Sequence, residues 1–225
     1  MKILITSATW MEIKLLADEL NLVYEKQNFW KSGKIKGHNI DILITGIGTV
    51  FTTFSLTQLL NDNRYDMIIN TGIAGSLNSD LGIGDVVNVV IEEFADLGVE
   101  KKGEFLTLFE SGFVNLDEFP FSGGLLNATF DNKAFSTLQK VRGITSNISH
   151  SNNTSIKKIR NKFKADIESM EGAAVFYVCI NTGIPCCEIR AISNYVEPHD
   201  TTNWDIPLSI ENLKERLMCA FNNLM

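Results

Sequence analysis

The chain has 225 residues, 44% of them hydrophobic, and its 27 acidic against 20 basic side chains give a formal net charge of −7. That length and apolar content suit one α/β domain with a full core spanning residues 1–225, and the scattered 4 prolines and 16 glycines mark no linker or low-complexity tract. The acidic balance disfavours a nucleic-acid partner and no apolar run reaches the ~20 residues that cross a bilayer, so the chain reads as cytoplasmic, with neither nucleic acid nor membrane as partner.

In chain order, KILITSA (2–8) opens as a short buried strand with no charged-then-apolar leader before it. MEIKLLADEL (11–20) has helical periodicity; IDILITGIG (40–48), TVFTTFSLTQLLND (49–62) and MIINTGIAG (67–75) follow as strand, helix and strand. This is a βαβ rhythm, and its unbroken apolar strands imply cover on both faces. GDVVNVVIEEFADLG (84–98) starts as a strand, and 124–130 and 141–149 read as further strands of a mixed, strongly bent sheet. Residues 99–123 between them read as a long loop and a candidate lid. The basic run IKKIRNKFK (156–164) is expected to be a solvated helix face. EGAAVFYVCINTG (171–183), apolar nearly all round, predicts a central helix ending near Gly183, and IPCCEIRAIS (184–193) predicts the next buried strand. A last helix is expected over 209–225, with Ser209 as its cap and Glu211 in the first turn.

Cys179, Cys186, Cys187 and Cys219 lack metal-ligand spacing and read as buried thiols, with the adjacent pair alternating across a strand. His38, His150 and His199 lie far apart and form no ligand motif. Neither a metal nor a cofactor is expected.

In α/β sheets, ligands gather beyond the carboxyl ends of the strands. Four such ends carry distinctive residues: Glu12, GIGTV (46–50), NTGIAGS (70–76) and SNYVE (193–197); ADIESMEGAA (165–174) leads into the apolar helix. GIGTV lacks the later glycine of a dinucleotide fingerprint, so Gly46, Gly48, Gly72 and Gly75 serve tight turns or a close approach of backbone to ligand. Glu12 can begin a helix or act in a site. Glu171 can occupy the free amides of its helix, or accept two hydrogen bonds from the vicinal diol of a ribose. Asn194 can satisfy its own loop or face a ligand.

Together with GDVVNVV (84–90), IRAISNYVEP (189–198) and NWDIPLSIENL (203–213), these segments resemble the nucleoside phosphorylase and nucleoside hydrolase superfamily over nearly the whole chain. Within it they are most similar to the futalosine hydrolase family. The resemblance implies a three-layer α/β/α nucleoside phosphorylase-like fold. It also implies hydrolysis of the N-glycosidic bond of a 5′-modified 6-oxopurine nucleoside, with release of hypoxanthine, in menaquinone biosynthesis. It makes Glu12 the water-activating base, sets Met170 against the sugar and Glu171 on its diol, and lays Ile73, Ala74 and Gly75 along the substrate. Asn194 stands where adenine-specific methylthioadenosine nucleosidases carry an aspartic acid that protonates N7. An amide there can donate to N7 or O6 of an oxopurine without a charge that repels the departing anion. Glu197 is a candidate acceptor for N1–H.

Asn70 and Ile73 fall where the hexameric phosphorylases keep an arginine and a phosphate-binding serine, so water is the expected nucleophile rather than phosphate. For the benzoate-bearing 5′ chain, Phe94, Phe105, Phe109, Phe113, Phe119, Phe121 and Trp204 are candidate walls, and Arg142 or His199 a candidate cation. The resemblance further implies a homo-oligomer, a dimer among the options, with sites completed across a subunit boundary. The competing readings are a 5′-methylthioadenosine/S-adenosylhomocysteine nucleosidase, a phosphorylase and a noncatalytic nucleoside-binding protein.

Overall fold

The computed structural model describes residues 1–20, 23–26, 29–130, 133–198 and 203–224. Its elements, in order, are β1 (Lys2–Ser7), α1 (Trp10–Glu19), β2 (Val23–Lys26), β3 (Phe29–Ile35), β4 (His38–Ile44), α2 (Thr49–Asp62), β5 (Met67–Ser76) and β6 (Val86–Phe94). Then come β7 (Gly98–Lys101), β8 (Glu104–Thr107), β9 (Leu126–Asn127), β10 (Gln139–Thr145), α3 (Asn153–Lys162), β11 (Ile167–Ser169), α4 (Gly172–Thr182), β12 (Cys186–Tyr195) and α5 (Ile206–Asn223).

The main sheet runs β11-β10-β6-β12-β5-β1-β4-β3-β2, and β11 also pairs with β5. That second pairing closes β11, β10, β6, β12 and β5 into a ring, which is the bend expected from the sequence. The sheet is mixed: β1 is parallel to β4 and β5, whereas β12 meets β6 antiparallel. Its two faces are both covered, as unbroken apolar strands require. Ile3, Ile5, Ile40, Ile42, Met67, Ile69, Cys187 and Ile189 pack against α1 and α5. Leu4, Leu43, Ile68 and Cys186 pack against α2 and α4 on the other side. The strand's period of two thus sends the adjacent cysteines into different cores.

One edge of β5 changes partner along its length. It pairs with β1 from Met67 to Asn70, then with β11 at Gly75 and Ser76, while β12 follows the opposite edge. Residues 71–74 therefore have no strand beside them on the first edge.

Several boundaries differ from expectation. The helix expected from residue 209 begins at Ile206: Asp205 accepts the Leu208 amide at 3.1 Å and Pro207 suits the first turn. Ser209, buried one turn in, donates instead to the Ile192 carbonyl at 2.7 Å, so it ties the helix to β12 rather than capping it. The strand expected over 124–130 shrinks to Leu126–Asn127, because Leu125 bonds into a turn with Ser122 and the Thr129 and Phe130 amides both donate to the single carbonyl of Cys186. Residues 99–123, read as a loop, contain most of the β7–β8 hairpin followed by hydrogen-bonded turns. The β2–β3 hairpin had no strand signal of its own; it is an edge ribbon added antiparallel to β4. The basic run 156–164, expected as a solvated helix face, begins inside α3 and runs past its end at Lys162; Lys157, Lys158 and Arg160 are exposed while Ile156 and Ile159 are buried, and α4 ends on Gly183 at φ 70°.

Candidate active site

Beyond the carboxyl ends of β1, β5, β11 and β12 lies a cavity of about 640 Å³. Glu12, Ile73, Ala74, Gly75, Met170, Glu171, Asn194 and Glu197 all line it, so the eight residues singled out from sequence meet in one place. Met11, Ile47, Trp204 and Ile206 add apolar wall, and Ser149, His150, Ser151 and Glu168 add a polar one. A cleft of similar size, about 610 Å³, bordered by Asp85, Thr137, Asn212 and Arg216, holds none of the strand-end residues.

Glu12 serves the helix and the cavity together. It occupies the third position of α1 in a capping box with Thr9. Oε2 accepts from the Thr9 amide at 2.9 Å and the Thr9 hydroxyl at 2.8 Å, while Oε1 accepts only the Ile73 amide at 3.1 Å. That amide belongs to the stretch of β5 that has β12 on one edge and no strand on the other. Oε1 therefore keeps a lone pair for a ligand.

Glu171 immediately precedes α4 but makes no side-chain cap. Its Oε1 accepts the Gly48 amide at 3.1 Å, and its Oε2 lies 3.4 Å from Arg190 Nη2. Gly48, at φ 92°, holds a backbone conformation that a side chain would strain, and this turn carries its N–H to the carboxylate. Burial raises the Glu171 carboxyl above its ordinary value, and the Arg190 charge and the Gly48 amide act against that rise.

Arg190 was not anticipated. It projects from β12 in the middle of an apolar run and is 1% exposed. Nε donates to Glu188 Oε1 at 2.6 Å, and Nη1 to the Ile73 carbonyl at 3.4 Å. Burial works to lower the guanidinium's affinity for its proton; Glu188, Glu171 and Glu12 outweigh it and hold the group above its ordinary value. Gly72 makes room for this contact, since a Cβ there would stand 2.6 Å from both Arg190 Nη1 and Glu12 Oε1.

Glu92 is buried behind Glu188. Its Oε2 accepts from the Thr145 hydroxyl at 2.8 Å, whereas Oε1 and Glu188 Oε2 have no hydrogen-bond partner among the described residues. Both orphan oxygens come within 2.4 Å of the point where a Gly172 Cβ would stand. Two like charges so placed repel, and burial followed by the Glu188 charge pushes Glu92 well above the carboxylate range, against the Thr145 hydroxyl and Arg190. Burial raises Glu188 as well, but the Arg190 charge and hydrogen bond oppose that rise, so of the two Glu92 is driven further toward its protonated form.

The sign of the resulting pH dependence follows. A carboxyl raised in the folded state contributes stability that is complete below its unfolded value, near 4.5, and is lost as pH rises through the folded value. Glu92→Gln, which mimics the protonated acid, should match the wild type near pH 5 and unfold at a higher temperature near pH 8. Parallel melting profiles for the two proteins across that range would place the proton elsewhere.

Asn194 is buried opposite Gly75, past a register slip at Ser193 that re-aims the strand end. Its Oδ1 accepts from the Ser193 hydroxyl at 2.9 Å and its Nδ2 donates to the Tyr195 carbonyl at 3.0 Å. The local reading is met, and the amide keeps a second N–H beyond these contacts. Glu197 is exposed at the rim.

A polar pair on the wall gave no signal in the sequence: His150 Nδ1 lies 2.5 Å from Glu168 Oε2, and the His150 amide donates to Oε1 at 3.0 Å. Glu168 lies on β11 and His150 in the segment before α3, so only the tertiary fold brings them together, and pattern reading within single elements passed over them.

Other candidates fall away. Arg142 pairs with Glu93 at 3.0 Å and is not on the cavity wall, and no residue of 99–123 lines it. Phe105 joins the Ile144–Phe163 cluster, Phe109 stacks edge-on with Phe121, and Phe113 and Phe119 are exposed. Of the aromatic candidates only Trp204 reaches the cavity. His199 lies outside the described residues.

A family model described as the phosphorylase superfamily matches residues 2–222. A 5′-methylthioadenosine/S-adenosylhomocysteine nucleosidase of Glaesserella parasuis serovar 5 (strain SH0165) is 27% identical over 198 residues, covering 85% of this chain and 84% of that protein. Among solved structures, futalosine hydrolase of Helicobacter pylori strain 26695 superposes with a TM-score of 0.82 at 21% identity, over 99% of this chain and 98% of that one. A 5′-methylthioadenosine/S-adenosylhomocysteine nucleosidase of S. pneumoniae, bound to a transition-state inhibitor, gives 0.83 at 21% identity with full coverage of both chains. These scores fix the fold and do not separate the two substrates.

Proposed function

The chain belongs to the phosphorylase superfamily, and on that footing we propose that it is a nucleosidase that hydrolyses the N-glycosidic bond of futalosine and releases hypoxanthine. The observation that carries the reading is a neutral amide, Asn194, in the same cavity as two carboxylates, Glu171 paired with the buried Arg190 and Glu12 within the field of that charge. The glycosidic bond lengthens first and its electrons move onto the base. Asn194 stabilises the oxopurine by donating its second N–H to N7 or O6. Glu171 holds the 2′ and 3′ hydroxyls and sets negative charge near the sugar cation, while Glu12 Oε1 takes a proton from water as the water bonds to C1′. Met170, Ile73, Ala74 and Gly75 shape the sugar and base walls.

The closest competitor is a 5′-methylthioadenosine/S-adenosylhomocysteine nucleosidase, favoured by the 27% identical relative. Incubation with futalosine, inosine and methylthioadenosine in phosphate-free buffer separates the two. Hypoxanthine released chiefly from futalosine supports the proposal, adenine released faster supports the competitor, and turnover that requires phosphate rejects both. Asn194→Asp should lower kcat/KM on the oxopurine substrate by about 5- to 150-fold, the effect of one unmatched buried polar group. It should lower cleavage of methylthioadenosine much less.

The same reading includes a cytoplasmic homo-oligomer. Val50, Phe51 and Phe54 of α2 are 64–74% exposed next to Ile47 on the cavity wall, an apolar surface suited to a second copy of the chain.

A further inference from the structure

The Glu168–His150 pair is a built polar feature of the cavity that the mechanism above leaves without a task. We propose that His150 is a specificity-determining residue that accepts the N1–H of the purine at Nε2, with its tautomer fixed by Glu168. The proposal rests on the nucleosidase reading and names how that site tells one purine from another.

The placement comes from strand register. Gly75 of β5 is paired with Asn194 on one edge and with Glu168 on the other. Residues paired across a sheet project to the same face, so the two side chains rise on either side of a floor that has no side chain of its own. Two strand spacings put their backbones roughly 9–10 Å apart, and Val196, whose Cγ2 lies 2.8 Å from where a Gly75 Cβ would stand, gives that floor an apolar surface on which a flat purine can lie. A base that meets Asn194 along N7 and O6 therefore turns its six-membered edge toward Glu168 and the imidazole it holds.

The hydrogen-bond pattern then fixes the chemistry. Glu168 has no donor of its own when ionised, and it faces the His150 amide through Oε1 and Nδ1 through Oε2. In the neutral ring Nδ1 carries the hydrogen, and Nε2, which has no hydrogen-bond partner among the described residues, presents a lone pair on the cavity wall. Read from Asn194 to His150, the protein offers a donor and then an acceptor. A 6-oxopurine offers the complement, O6 and then N1–H. Adenine offers the reverse, an amino group and then the bare N1, and mismatches both. Glu197, exposed at the rim, is not needed for this contact.

Glu168→Gln tests the tautomer directly. The backbone amide of His150 can only donate, so it takes the glutamine carbonyl. The NH₂ group then faces Nδ1, which must give up its hydrogen, and Nε2 becomes a donor. Cleavage of inosine should fall and cleavage of methylthioadenosine should rise, narrowing the ratio of their kcat/KM values by about 10-fold or more, as for one inverted buried hydrogen bond. His150→Ala should lower kcat/KM on inosine and leave that on methylthioadenosine within a few-fold. If both variants lower the two substrates by the same factor, the pair is structural and the proposal is wrong. A wild-type enzyme that releases adenine and hypoxanthine equally well would overturn the underlying assignment of the base, whereas a selective wild type with unselectively impaired variants would overturn only the role of His150.

Discussion

Replacing Glu12 with glutamine should lower turnover by about 10²- to 10⁴-fold, the usual contribution of a positioned general base. Binding of a nucleoside analogue, measured by calorimetry, should change far less, because the lost step is proton transfer from water. The neighbourhood of the carboxylate adds a second effect. The Thr9 amide and hydroxyl point at Oε2 and the Ile73 amide at Oε1, so every partner is a donor. A glutamine NH₂ must face one of the two backbone amides and leave it unpaired, at about 1–3 kcal/mol of stability. Denaturant unfolding alongside kinetics separates the two losses. Turnover close to wild type in a folded variant would remove Glu12 from the mechanism.

Arg190→Met should be the most destabilising single change in the site, by about 3–5 kcal/mol, because it strands Glu188 and Glu171 as buried charges. The intact cluster is not thereby a source of net stability, since desolvation of its members offsets their attraction. Removing the opposing carboxylate as well should recover part of the loss: the double variant Arg190→Met, Glu188→Gln should be more stable than Arg190→Met alone. Urea unfolding of the wild type, the two single variants and the double variant gives the coupling. Additive losses would show that Arg190 and Glu188 act independently, contrary to the 2.6 Å contact.

Much of this site was legible because strand ends and glycine turns leave local marks. NTGIAGS and SNYVE announce themselves as the ends of apolar strands, and Glu171 as a charge at the head of an apolar helix. What stayed hidden depends on pairing between distant segments. Arg190 and Glu188 could have been noticed as an i, i+2 pair of charges inside a strand predicted to be buried, since the period of two puts both on one face. Glu92 could not, because its place beside Glu188 and Gly172 arises only when β6 packs against β12 and α4. The His150–Glu168 pair depends on the close packing of β11 against the segment before α3. Element boundaries went astray where one polar residue had two tasks to choose from, as at Ser209, which a buried carbonyl claimed ahead of the helix terminus.

The interrupted edge of β5 limits how this enzyme can change. Along this stretch Ile73 and Ala74 line the cavity, and the Ile73 amide and carbonyl are held by side chains from α1 and β12. Point mutation exchanges side chains and leaves peptide groups in place. A descendant acting on a different nucleoside would keep these peptide groups and alter side chains, those arriving from other segments included, so much of its new preference would be written at positions remote in sequence from β5.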